Sequence, residues 1–343
     1  MSAPRLTARV LDPRNFDPQL VTRWDALLAG HAALQSPFLS FHYARAVQAA
    51  GRRVRVCVIE RDGVACGFFP FQFDGTLATL TRSAGPVGGV MTDYVGLVAD
   101  TDLRLAPAQL LKLARLNTFT FSHLDETQQA FGLRGEQARV GLRLRLDPAA
   151  PLDTLLRAQH RYMKDSERCA RLVVRDFGPI EFTFDQQENR AALLDQLIEQ
   201  KRLQYQRTGV PDSLLEPWTR RLLHLLAQAD TPACHGRLST LYAGGQWLAS
   251  HFGLSCHGVL HHWMPVYNPD LGKYAPGRLL MHHMIEACPP AGMLTIDHGE
   301  GDSPSKRQTA NEEHFYYRGQ WHNRSMASLV SRGYQSLKWR LEG

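Results

Sequence analysis

No stretch of this sequence offers the roughly 18 uninterrupted apolar residues that a membrane-spanning helix needs, and none is expected to cross a bilayer. The N-terminal MSAPRLTARVLDP has no apolar run behind its first arginines, so it lacks the core of a secretory signal. Residence in the cytoplasm is the expectation. The six cysteines (Cys57, Cys66, Cys169, Cys234, Cys256 and Cys288) form no CxxC pair and no metal-ligand spacing, and read as reduced core residues. Neither a GxSxG elbow nor a P-loop occurs, which argues against serine-hydrolase and nucleoside-triphosphatase chemistry. A large charge of one sign is missing too. Thirty-nine Lys and Arg against thirty-three Asp and Glu give +6, which suits anionic ligands but falls short of a dedicated nucleic-acid binder.

What is present is enough chain for two domains, since 343 residues exceed the roughly 100–200 of an ordinary one. The first half reads as a short strand at Leu6 to Leu11, helices near Pro18 to Ala29 and Ser40 to Ala50, then VRVCVIERDGVACGFFPFQF, two strand-like runs closed by Asp62-Gly63. A strand is predicted around Thr76 to Leu80. The glycine-rich GPVGGVMTDYVGLV then precedes helix APAQLLKLARL, strand TFTFSHL, a short helix near Gln128 and strand ARVGLRLRL. From Ile180 the same order returns: strand IEFTF, two helices, three strands, helix GRLLMHHMIEAC, strand MLTIDHG, helix SPSKRQTANEE and strand HFYYRGQW. This repetition predicts a duplicated α/β architecture, each half a mixed sheet flanked by helices.

Between the halves, Arg157, Arg161, Lys164, Arg168, Arg171 and Arg175 fall at steps of four and three. At about 100° per residue they make one stripe on a helix. Such a stripe is a solvated face in most proteins. The sharper reading makes it a rail for phosphates, with Arg161, Lys164 and Arg168 contacting substrate.

The most informative stretch is YNPDLGKYAPGRLLMHHMIEACPPAGMLTIDHGEGDSPSK, from Tyr267 to Lys306. A strand ends, a Gly- and Pro-rich loop turns, and a helix opens at Pro276-Gly277. Proline at the first turn loses no needed hydrogen bond, and glycine lets a ligand approach the helix N–H groups, a site suited to pyrophosphate. Pro-Gly also opens many helices that bind nothing. Beyond the next strand lie Asp297, His298, Glu300 and Asp302, at the carboxyl end where open α/β sheets hold ligands. Asp297 or His298 is a candidate base for an attacking amine or hydroxyl, while Asp297 could equally cap a turn. Lys306 is a candidate for neutralising a phosphate or developing charge. The histidines His257, His261, His262, His282, His283 and His298 crowd one region without metal-binding spacing, and no metal is expected.

These residues resemble the CelD/BcsL-type acetyltransferases of the GNAT superfamily, relatives of the FemABX aminoacyltransferases. The resemblance rests on SPFLSFHYARA, GFFPFQ, TDYVGLV, KDSERCARL, LQYQRTG, NPDLGKYAPGRLL and IDHGEGDSPSK, in that order from about Ser36 to Trp321. The last two are the most specific: a Tyr-x-Pro-Gly helix start and an Asp-x-Gly-x-Gly-Asp-x-x-x-Lys run. Ser305 stands where many relatives have an aromatic residue, and His298 where Phe or Tyr is frequent.

The resemblance implies a tandem duplicated GNAT (acyl-CoA N-acyltransferase) fold with a GNAT-like domain over 1–150, a basic connecting helix over 151–176, a GNAT domain holding acyl-CoA over 177–322 and a helical tail over 323–343. It implies acyl transfer from acetyl-CoA or another acyl-CoA to an amine or hydroxyl, such as an amino sugar in polysaccharide or cell-envelope synthesis. By position Tyr274, Ala275, Pro276, Gly277 and Arg278 would hold the pyrophosphate, Asp297, His298, Asp302 and Lys306 would border the reaction, and Trp263 and Tyr267 would line the acyl or acceptor side. The partners are then a small-molecule or saccharide acceptor and no DNA. No cysteine sits in a nucleophile context, so direct attack in a ternary complex is expected. The alternatives are an aminoacyl-tRNA-dependent transferase of FemX type, a non-catalytic partner in exopolysaccharide assembly, and a peripheral membrane role for MASLVSRGYQSLKWRLEG.

Overall fold

The computed structural model describes residues 6–156 and 160–323, without the side chains of 155, 156, 160 and 161. Arg157, the Arg161 side chain and the expected tail beyond Asn323 lie outside the described residues. The chain divides into two compact units, one of residues 1–139 with 315–343 and one of 140–314.

The first unit runs β1 (Leu6–Leu11), α1 (Pro18–Ala29), α2 (Phe41–Ala49), β2 (Arg53–Arg61), β3 (Val64–Phe73), α3 (Thr76–Leu80), β4 (Ser83–Ala84), β5 (Val98–Ala99), α4 (Pro107–Leu113) and β6 (Thr118–Asp125). Local chemistry starts its helices. Asp17 caps α1 by accepting from the Leu20 N–H at 2.8 Å, and the Ser40 hydroxyl accepts from Tyr43 N–H at 3.0 Å to cap α2. Asp62 and Gly63 both take positive φ and close the β2–β3 hairpin, as their identity predicts. Four strands order as β1-β2-β3-β5. Around them, Trp24 stacks on Phe68 with ring centroids 4.8 Å apart, at the centre of a core in which both are fully buried.

The strand expected at Thr76 to Leu80 is instead the short helix α3. Its threonines favour a strand, yet Thr79 and Thr81 bond back to the Gly75 and Leu77 carbonyls at 2.9 and 2.8 Å. Gly75 at φ 93° makes the turn, and Leu77 and Leu80 lie exposed.

The second unit takes up β7 (Gln137–Arg145) from residue 140, then α5 (Asp153–Leu156), α6 (His160–Phe177), β8 (Ile180–Thr183), α7 (Arg190–Thr208), α8 (Pro217–Ala227), β9 (Asp230–Thr231), β10 (Cys234–Ala243), β11 (Gln246–Cys256), β12 (Val259–Tyr267), α9 (Pro276–Ala287), β13 (Thr295–Glu300), α10 (Pro304–Arg307) and the start of β14 (Glu312–His322). The helix expected over SPSKRQTANEE stops at Arg307, and its final Glu312 and Glu313 already belong to β14. Six strands of this unit order as β7-β13-β12-β11-β10-β8. Only β12 and β13 run parallel among these neighbours.

Each unit is completed by a strand from the other half of the sequence. β7 pairs antiparallel with β13, and β14, from Tyr316 to His322, pairs antiparallel with β6. Tyr162, Met163, Cys169 and Val173 of α6 turn inward with Leu280, Met284 and Ile285 of α9 in the second unit's core. Lys164, Arg168, Arg171 and Arg175 take the exposed face of α6. Arg175 is held by Asp176 at 2.7 Å, and Arg171 lies 3.9 Å from Glu167.

Candidate active site

The two parallel strands of the second unit separate. β12 and β13 pair over Val259–His261 against Thr295–Asp297, after which β12 runs on to Tyr267 and β13 to Glu300 with no further pairing described between them. A bulge makes the bend. The β11–β12 register shifts between Phe252 and Leu254, so His262 and Trp263 face the single residue Gly253. A Cβ at Gly253 would stand 2.4 Å from both the His251 ring and the His261 carbonyl, so only glycine fits. The Trp263 N–H, taken out of the ladder, donates to His251 Nε2 at 3.3 Å. β13 breaks register with β7 between Asp297 and Glu300, where Gly299 has φ 68°. The result is a wedge walled by main chain, with amide groups available to an extended ligand that carries amides of its own.

Helix α9 opens at the broad end of the wedge. Asn268 caps the turn after β12, accepting from Asp270 N–H at 3.1 Å, and Ala275 takes a left-handed conformation at φ 48°. Pro276 occupies the first helical position, leaving Gly277 the first N–H of the helix. A Cβ at Gly277 would lie 3.7 Å from the Tyr267 ring, so the end of β12 and the helix start meet there. Arg278 is held over the Tyr162 ring at 5.0 Å with Asp165 at 3.4 Å, and the Tyr162 hydroxyl donates to the Arg278 carbonyl at 3.3 Å. Tyr274 is buried and donates its hydroxyl to Asp176 at 2.8 Å. Beside Arg175 and that hydroxyl, the Asp176 carboxyl falls to about 2.

Asp297 sits at the apex, only 2% exposed. Its Oδ2 accepts from Arg143 Nε on β7 at 3.0 Å, its Oδ1 accepts from the Gly299 N–H at 2.8 Å, and His261 Nδ1 is 3.8 Å away. This carboxylate is engaged in a buried ion pair. His298 is buried with Nε2 donating to the Thr309 carbonyl at 2.8 Å, which leaves Nδ1 as the acceptor nitrogen. Burial pushes its imidazole down to about 4, so it is neutral at pH 7. His262 lies edge-on to His298 at 5.6 Å and stacks on His251 at 4.5 Å. Burial lowers His262 well below the usual range and His251 to about 3.

Two lysines close the group. Lys306 of α10 donates to the Glu300 carbonyl at the end of β13, 2.6 Å away. Lys201 of α7, 8% exposed, donates to the Pro265 carbonyl on β12 at 3.2 Å and to Gln204 Oε1 at 3.3 Å. Burial, and then the nearby Lys306 charge, pull the Lys201 ammonium down to about 8.

Of the residues singled out in the sequence, His298, Lys306, Tyr267 and Ala275 to Gly277 are on or beside the walls of the wedge. Trp263 is on its β12 wall, partly buried, with Phe252 at 6.4 Å. Asp302 is exposed and paired with Arg307, whose Nη2 lies 2.8 Å from Oδ2. Lys164 and Arg168 face solvent from α6. Sequence reasoning missed Lys201, His251 and Arg143. Lys201 did leave a signal: it follows Leu194, Leu197 and Ile198 at core spacing, a lysine in an apolar stripe. Among the described residues no cluster could hold a metal ion, and no helix is long and apolar enough to cross a membrane.

Residues 160–307 match the family profile of the acetyltransferase (GNAT) domain. It is this segment that is similar to a GNAT acetyltransferase domain. The match covers less than half of the chain, and both units carry the sheets flanked by helices expected from the repeated element order. A FemX crystal structure is similar over 91% of this chain and 96% of its own, with 11% identity and a TM-score of 0.58. The C-terminal domain of a putative lysylphosphatidylglycerol synthetase from Agrobacterium fabrum covers 93% and 96%, with 12% identity and a TM-score of 0.55. A conserved protein of unknown function from Bacteroides thetaiotaomicron covers 87% and 97%, at 12% identity and a TM-score of 0.55. At these identities the likeness is one of fold. No curated protein matches the sequence.

Proposed function

We propose that the second unit binds acetyl-CoA or a related acyl-CoA in the wedge between β12 and β13 and passes the acyl group to an amine or hydroxyl by direct attack. The observation that carries this reading is the conjunction of a parted parallel strand pair with the Pro276-Gly277 helix start at its broad end. An extended, amide-bearing arm suits the strand edges, and a pyrophosphate suits the first N–H groups of α9. Both belong to CoA. Neutral His298 supplies an acceptor nitrogen, Lys306 a positive charge beside the wall, and Trp263 and Tyr267 apolar surface. Asp297 acts by holding β13 against Arg143. Asp302 belongs with Arg307 at the rim. Lys164 and Arg168 would meet substrate only along the α6 face.

An amino-sugar acceptor in polysaccharide or cell-envelope synthesis, as in the CelD/BcsL type, is the acceptor class this reading favours, with cytoplasmic action. An aminoacyl-tRNA donor is the second reading, favoured by the exposed Lys164 and Arg168. It predicts tRNA binding that weakens steeply with salt and is lost in a Lys164→Ala/Arg168→Ala variant.

Gly277→Asp separates ligand binding from folding. A carboxylate in the first turn favours the helix by about 0.5 kcal/mol while repelling a pyrophosphate. The free protein should melt no lower than wild type, and acetyl-CoA affinity should fall by about tenfold or more. Unchanged affinity by calorimetry would remove the pyrophosphate from this helix.

A further inference from the structure

Among the described residues Lys201 is the one buried lysine, and its position is unusual for a structural residue. It extends the Leu194, Leu197, Ile198 stripe of α7, so an apolar side chain would continue the core there without desolvating a charge. The stem instead carries the ammonium to the Pro265 carbonyl, beyond the point where β12 and β13 part. Lys306 reaches the Glu300 carbonyl of the other wall. Two ammonium groups thus end on the main chain of the two diverging strands, close enough to depress one of them. Pro265 and Gln204 engage two of the three Lys201 protons.

We propose that Lys201 is the general acid of the transfer, donating its free proton to the CoA sulfur as it leaves. This rests on acyl-CoA occupying the wedge. The acceptor nitrogen or oxygen bonds to the thioester carbonyl carbon, the carbon–sulfur bond breaks, and its electron pair stays on sulfur. The Nζ proton passes to that sulfur, giving the CoA thiol, and the proton lost by the acceptor restores the ammonium. An acid that titrates near 8 is stronger than an alkyl thiol, so proton transfer to the departing thiolate runs downhill.

The charged and titratable groups around Lys201 are few. Lys306 faces it from α10 and His251 from β11, with the Pro265 carbonyl on β12 and Tyr205 and Gln204 on its own helix. Arg220 and His224 of α8 are spent on Asp195 and Glu199.

The test uses free CoA, the product, on the full chain, and needs no acceptor. The thiol of bound CoA is titrated by its thiolate absorbance in wild type, Lys201→Met and Lys201→Arg, with desulfo-CoA as the blank and a thermal shift reporting binding. An ammonium beside the sulfur lowers the thiol midpoint by about one pH unit or more relative to free CoA. That shift should vanish in Lys201→Met and persist in Lys201→Arg, with all three proteins binding CoA. Equal midpoints in wild type and Lys201→Met, with CoA bound to both, would overturn the assignment of Lys201 while leaving the wedge as the CoA site. No thermal shift by CoA in wild type would overturn both. Should Lys201→Met not fold, Lys201→Gln replaces it under the same criteria.

Discussion

Asp297 and Arg143 meet across β7 and β13, one side chain almost wholly buried and the other nearly so. Removing one partner of such a pair strands the other charge, at a cost of about 3–5 kcal/mol. Asp297→Ala should therefore lose stability of that order in urea, and an Asp297→Ala/Arg143→Met double variant should recover much of it. Equal loss in single and double variants would show that the pair is not what Asp297 supplies. A second residue-scale consequence concerns acid. His298 and His314 titrate near 4 and His251 near 3 in the fold, all lowered chiefly by burial. The unfolded chain takes up their protons near 6.5, so stability is complete above that pH and is lost as pH falls toward 4. Between pH 7 and pH 5 each histidine withdraws about 2 kcal/mol. Urea midpoints at the two pH values measure this, and His298→Phe should reduce the difference. At this scale the nearness of His298 and Lys306 was legible, because the run IDHGEGDSPSK carries them together. Arg143 was not, since its partner lies 154 residues away and only sheet register unites them. Lys201 was hidden in a helix stripe.

At the scale of elements, the site depends on a bulge and a helix start. Gly253→Ala would force a Cβ into the His251 ring and the His261 carbonyl. It should cost 2 kcal/mol or more, as backbone overpacking does, and should weaken acetyl-CoA binding with it. A variant that folds and binds as wild type would remove the bulge from the account. Ala275→Gly tests the other feature: at φ 48° a side chain is strained by about 1 kcal/mol, and glycine should return most of that as a higher melting temperature. The helix start was readable from Ala-Pro-Gly, as was the β2–β3 hairpin from Asp62-Gly63. The parting of β12 from β13 was not. It follows from a one-residue register shift that no local pattern marks, just as the strand-favouring threonines of Thr76 to Leu80 concealed a helix held by threonine back-bonds.

For the whole molecule, the duplicated order of elements was visible from Leu6 to Trp321, and two compact units carry it. The strand that completes each unit was not visible, because the alternation in ARVGLRLRL states which face is buried but not which neighbour is paired. β7 lies beside β13, so a chain beginning at residue 151 lacks both that strand and Arg143. Such a chain should melt without a cooperative transition, and one that unfolds cooperatively at the wild-type temperature would contradict the pairing. The central claim is that the parted strands and the α9 start form an acyl-CoA site, and thermal unfolding with acetyl-CoA tests it most directly. At a ligand concentration about a hundredfold above Kd, the folded state gains about 2.7 kcal/mol. Micromolar acetyl-CoA should raise the melting temperature of wild type by several degrees and that of Gly277→Asp by much less. An unchanged wild-type melting temperature at millimolar acetyl-CoA would contradict the account.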